Sequence, residues 1–124
     1  MQLRLLAAAI SVGISLIPNI GLSQLQPLWV NLGSSQNGEL FIDQLSIAKH
    51  KTVVKFDMRL VESERLTSAR VVAECNSLSF QYQNKAINNI ASPPPNGIEF
   101  PIQQTEPDTI LATAIYYACS TYQP

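Results

Sequence analysis

The run Thr52-Val53-Val54-Lys55-Phe56-Asp57-Met58-Arg59-Leu60-Val61 alternates with a period of two. Thr52, Val54, Phe56, Met58 and Leu60 fall on one side. Lys55, Asp57 and Arg59 share the other with Val53 and Val61. Side chains of a strand point alternately to opposite faces, so this pattern predicts a long strand with one face on a core and one on water. The neighbouring segments follow suit. Leu28 to Leu32 around Trp29 and Glu39 to Asp43 read as two strands joined through Asn37-Gly38, a dipeptide that supplies the positive φ of a tight hairpin. Lys49-His50-Lys51 reads as the polar turn into the long strand. Thr67 to Cys75 places Ala69, Val71, Ala73 and Cys75 on one side, and Leu78, Phe80 and Tyr82 alternate with Ser79, Gln81 and Gln83 in the strand after it.

Between Asn84 and Gly97 the alternation gives way to Asn, Ser and Pro93-Pro94-Pro95, which reads as a loop with a short polyproline II stretch. Ile98, Phe100 and Ile102 alternate again, and Pro101, with no backbone donor, confines such a strand to an edge. The C-terminal segment changes period. Thr105 with Asp108 suggests a capping box and Pro107 suits a first turn, while Ile110, Leu111, Ala114, Ile115, Ala118 and Cys119 form one apolar stripe at helical spacing. The expected fold class is α+β, an antiparallel sheet with one C-terminal helix on one face. Cys75 lies on the small-residue face of its strand and Cys119 on the stripe of the helix, so a disulfide between these two, the chain's only cysteines, would tether helix to sheet.

The first two dozen residues carry a different pattern. Arg4 precedes an apolar run from Leu5 to Ile17, Pro18 breaks it, and Gly21 and Ser23 stand at minus three and minus one to a cleavage before Gln24. This is the form of a signal peptide over residues 1–23, leaving a single domain over 24–124. An α-helix of that run would cover only about two thirds of a ~30 Å hydrocarbon core, which argues against an uncleaved anchor. No second apolar stretch is long enough to span a bilayer. The expected location is exported: periplasmic, cell-surface or secreted. Two cysteines in a short exported chain fit an oxidising compartment. Arg4 is the one charged residue in the leader, so its removal takes the formal net charge from -1 to -2. A mildly acidic balance gives no basic footprint for nucleic acid or for an anionic membrane.

Few residues suggest chemistry. Asp43, Ser46 and His50 include the residue types of a catalytic triad, and His50 is the only histidine. Asp43-Gln44-Leu45-Ser46 reads instead as a turn in which the carboxylate accepts a backbone N–H two residues on, with His50 at a solvated hairpin tip. One His and two distant Cys do not make a four-ligand zinc site. Glu62 and Glu64, beside Arg65, read as a charged turn. No catalytic residue, metal ligand or cofactor is expected. Tyr116 and Tyr122 near the C-terminus are candidate ligand-facing aromatics, since tyrosines favour binding surfaces when exposed.

In the order of its landmarks the chain resembles the surface-adhesin protein E-like domain family of exported bacterial proteins. The resemblance runs from Trp29 to Cys119. It is carried by Trp29 in Leu28-Trp29-Val30, by Phe41-Ile42-Asp43 followed by Ser46-Ile47, by the strand from Val53 to Leu60, by Ser68 opening the strand that ends in Cys75, and by Tyr117-Ala118-Cys119. It implies an antiparallel sheet with a C-terminal helix fastened to one face by the disulfide, in a protein exposed at the cell envelope. Two functional expectations follow. One is a non-enzymatic envelope module that binds protein or glycan; the other is a structural or accessory subunit of an exported assembly. A small secreted hydrolase is the remote third.

Overall fold

A computed structural model describes residues 26–35 and 38–121. The proposed leader and Tyr122 lie outside the described residues, as does Asn37 of the expected hairpin turn.

Among the described residues, eight strands form one antiparallel sheet and one helix packs on it. The strands are β1 (Trp29–Ser35), β2 (Gly38–Asp43), β3 (Ala48–His50), β4 (Val53–Val61), β5 (Leu66–Glu74), β6 (Ser79–Ile87), β7 (Ile90–Ala91) and β8 (Gln103–Gln104), and the helix is α1 (Ile110–Ser120). The sheet order is β1-β2-β4-β5-β6-β7. β3 pairs with the first part of β4 and β2 with the last part, so the two lie end to end along one side of the long strand. β8 pairs with the start of β6.

The period-two reading of β4 holds. Val54, Phe56 and Met58 are buried, while Val53, Lys55 and Val61 are exposed. Antiparallel pairing keeps directly opposed residues on one face. The register Val54 to Ala73, Phe56 to Val71 and Met58 to Ala69 therefore continues the buried face across β5. Leu40 and Ile42 extend it to β2, and Phe80 to β6. Ala114, Ile115 and Ala118 of the helix close this layer, with Leu111 and Tyr117 packed at its side. Ala69, Ala73 and Ala118 leave room for the backbones to approach, and each is almost fully buried. Cys75 and Cys119 are bonded, with their Cα atoms 5.9 Å apart, so the tether between strand end and helix end is present.

A polar clamp surrounds that bond. The Lys49 Nζ donates to the Cys119 carbonyl at 2.9 Å, placing a cation where the helix dipole is negative. The Cys75 N–H donates to the Thr52 carbonyl at 2.7 Å. The turn after β5 is closed by Glu74, whose carboxylate accepts from the Ser77 N–H at 2.6 Å.

Four local expectations are corrected. The segment after Asn84 is not all loop: β6 runs to Ile87 and folds back into β7 through Asn88 and Asn89, both at positive φ (52° and 66°). Two consecutive left-handed residues are what a two-residue hairpin with the sheet's twist requires, and Asn tolerates that region. The alternation at Ile98, Phe100 and Ile102 does not make a strand. Only Phe100 is buried, edge-on to Tyr82 with ring centroids 5.8 Å apart, while pairing is taken over by Gln103–Gln104. The helix begins later than the Thr105 and Asp108 pattern suggests. Thr109 is its N-cap, accepting from the Ala112 N–H at 3.2 Å, and Asp108 at φ 63° lies outside the helix. Thr105 is instead buried, its N–H bonded to the Leu78 carbonyl. Lys49 and His50 belong to β3, so the tip of that hairpin is Lys51-Thr52, with Lys51 at φ 57°.

The first hairpin forms, and a fifth expectation is corrected with it: Ser35 pairs with Gly38, so Gly38 belongs to β2 rather than to the turn. Gly38 has φ 144°, and a Cβ there would lie 2.7 Å from the Val61 carbonyl oxygen, so glycine is required by both backbone and space.

Candidate binding face

Among the described residues, the helix covers one face of the sheet and the other is open. On that open face stand the residues that alternate away from the core: Trp29, Phe41, Asp57, Arg59, Ser68 and Arg70. They come from β1, β2, β4 and β5, and the pairings Phe41 to Arg59, Arg59 to Ser68 and Asp57 to Arg70 bring them into one region.

Two interactions organise it. The Arg59 guanidinium lies over the indole of Trp29, its Cζ 4.2 Å from the ring centroid, in a cation–π stack. Arg70 grips Asp57 with two parallel bonds, Nε to Oδ1 at 2.8 Å and Nη2 to Oδ2 at 3.1 Å. That hydrogen bonding, and next the charge of Asp57, pushes Arg70 above its ordinary pKa. β6 bulges opposite Arg70 and Val71, and the Asn84 side chain accepts from the Arg70 N–H at 3.0 Å, sealing the irregularity. Trp29, Asp57, Arg59, Ser68, Arg70 and Asn84 line a shallow hollow of about 240 Å³.

The charges in this hollow are unequally matched. Of the described arginines, Arg65 is held by Glu62 and Arg70 by Asp57. Arg59 has no carboxylate partner among the described residues, and its Nε is buried without an acceptor.

A second hollow on the same face, about 360 Å³, is bounded by Ala48, His50, Val53, Lys55, Val72 and Gln83. His50 is exposed at its rim. Ser46 is committed elsewhere: its hydroxyl donates to the Asp43 carbonyl at 2.6 Å and accepts from the Asp57 N–H at 2.8 Å. The Asp43 carboxylate accepts from the N–H groups of Leu28 at 2.9 Å and Leu45 at 3.0 Å, the second of these being the turn anticipated from the sequence. Asp43 and Ser46 therefore build the single-turn 3₁₀ segment Gln44–Ser46 that links β2 to β3, and the Ser46 proton goes to a carbonyl rather than to an imidazole. Among the described residues no cluster of three or more His, Cys, Asp or Glu forms a metal-binding group.

The landmark residues from the sequence are thus divided. Trp29 and Ser68 meet in the hollow, Asp43 stands opposite Trp29 across the first hairpin, and Ser46 pins the strand junction. Ile47 is in the core. Tyr116 is exposed on α1, on the far side of the sheet from Trp29, and Tyr117 packs against the core. The sequence reading placed Asp57 and Arg59 on a solvent face but did not link them to Trp29, Ser68, Arg70 and Asn84. The available signal was the strand alternation itself, once the register between strands is known.

Comparison with protein-family profiles, with curated proteins and with solved structures returns no match to this chain.

Proposed function

We propose that the chain is an exported, non-enzymatic cell-envelope domain of the surface-adhesin E-like type, which engages protein or glycan through the open face of its sheet. The observation that carries this reading is the division of labour between faces. The helix, the disulfide and the core consume one face. The other presents an indole, two guanidinium groups, a carboxylate and short polar side chains around shallow hollows. Recognition surfaces favour Trp and Arg, which combine large contact area with oriented donors. The export pattern before Gln24 and the bonded cysteines are consistent with work outside the cytoplasm. Among the described residues no helix is long and apolar enough to cross a membrane.

The test is capture from envelope extract by the immobilised, oxidised protein. Val72→Glu alters the open face beside Lys55, and Tyr116→Ser alters the helix side. The reading expects capture to be lost in Val72→Glu and kept in Tyr116→Ser, with both variants melting near the parent. Equal capture by all three, or loss only in Tyr116→Ser, contradicts it.

A further inference from the structure

The geometry points to Arg59, stacked on Trp29, as the anchoring site for the carboxylate of a uronic acid in an acidic glycan. This inference rests on the open face being the contact surface, and it names what that surface takes.

The argument begins with an unmatched charge. A guanidinium laid over an indole sheds water from one side, and the stack fixes its plane. Stripped of some water and given no acid in return, such a group favours an anion brought from outside. Arg59 is in that condition: it is stacked at 4.2 Å, its Nε is buried, and no described carboxylate pairs with it. Its fork of donors suits the two oxygens of a carboxylate, and because the stack already holds it, little rotamer entropy remains to be lost on binding.

The surroundings select among anions. Arg70 is occupied by Asp57, so the hollow offers one free cation beside a fixed carboxylate. A dense polyanion such as nucleic acid or a polyphosphate would meet Asp57 as well as Arg59, and like charges at close range are costly. An isolated carboxylate on a neutral, hydroxyl-bearing frame avoids that conflict. Ser68 directly opposite Arg59, with Asn84 and Asp57 nearby, offers hydroxyl, amide and carboxylate groups of the kind that bond sugar hydroxyls. An acidic peptide would gain most from apolar slots for its other side chains. Beside the indole, the Trp29 hollow offers only the largely buried Met58 and Ala69 as apolar surface, and Asp57, Arg59, Ser68, Arg70 and Asn84 make up the rest of its lining.

Trp29 is the only tryptophan in the chain, so its emission reports this hollow directly. The oxidised protein is titrated with hyaluronan hexasaccharide, with neutral chitohexaose, with dextran sulfate and with hexaglutamate, at equal ionic strength. Hyaluronan hexasaccharide is expected to shift the emission saturably and chitohexaose not to. Arg59→Gln should weaken the affinity about tenfold or more, the scale of a lost charge-assisted hydrogen-bonded pair. Arg59→Lys, which keeps the charge and loses the planar fork, should recover only part of it. Lys51→Gln removes a unit of charge at an exposed hairpin tip and should leave binding unchanged. The inference is overturned if the hexasaccharide leaves the emission unchanged, if chitohexaose, dextran sulfate or hexaglutamate binds as tightly, or if Arg59→Gln binds like the parent. Those outcomes leave the capture experiment with Val72→Glu standing on its own, so the two readings fail separately.

Discussion

Glu74 shows how one side chain makes this fold depend on pH. Its carboxylate receives the Ser77 N–H, then the Thr52 hydroxyl, and these bonds hold its pKa below the ordinary 4.5. The unfolded chain lacks them. A carboxyl whose pKa is lowered by folding stabilises the fold fully above its unfolded value, and that contribution fades as the pH falls through the lowered folded value. Glu74→Gln keeps an acceptor for the Ser77 N–H but removes the charge. The parent should therefore melt higher than Glu74→Gln at about pH 7, and the gap should narrow as the pH is taken progressively below the ordinary 4.5 and the carboxylate is protonated. Thermal melts of both proteins across that range check it. A gap of constant size, or none at neutral pH, would contradict the role given to the charge. Arg59 is the converse at the same scale: a side chain whose charge meets no carboxylate among the described residues, which is why it is assigned to contact rather than to stability.

At the scale of elements the helix is the dependent part. It has eleven residues, and isolated helices of that length are marginal in water. It is held by the burial of Ala112, Ala114, Ile115 and Ala118, by Lys49 at its last carbonyls and by the disulfide. The bond joins positions separated by 44 residues, and closing a loop of that length constrains the unfolded chain by about 4 kcal/mol in the chain-entropy model. If roughly half of that is realised, reduction should lower the melting temperature by about ten degrees, at about 4 to 8 °C per kcal/mol. Hydrogen exchange on the reduced protein should show α1 losing protection before β4 and β5. Uniform loss across helix and sheet, or an unchanged melting temperature, would mean that the tether does not hold the helix.

The elements also mark how far the sequence could be read. β4, β5 and the start of β6 were legible because each buries one face and keeps period two over many residues, a signal that local chemistry alone produces. The stripe on α1 was legible for the same reason at the helical period. Its start was not: Thr105 and Thr109 both precede an apolar run, and the choice between them was made by tertiary structure, which buries Thr105 against the start of β6 and turns Asp108 left-handed. β7 was hidden because Asn88-Asn89 reads as loop unless both residues are given positive φ. The Trp29 to Arg59 stack could not be read from spacing. It joins residues thirty positions apart and depends on the register of β1 on β2 and of β2 on β4.

At the scale of the whole molecule, one face of the sheet carries the helix and the core and the other is free of both, and the covalent tether belongs to the covered one. A disulfide of this kind forms and persists in an oxidising compartment, so the account requires the chain to leave the cytoplasm. On the function proposed above, the pattern of Arg4, the apolar run and Gly21-Leu22-Ser23 would supply the route, with the domain then beginning near Gln24. The most direct test is the intact mass of the protein recovered outside the cytoplasm from cells expressing the chain from Met1, measured without reductant and again after reduction and alkylation. The account predicts a chain starting at or near Gln24 that takes up no alkyl group before reduction and two after it, one each on Cys75 and Cys119. A chain retained in the membrane with Met1 intact, or an exported protein with two free thiols, would contradict it.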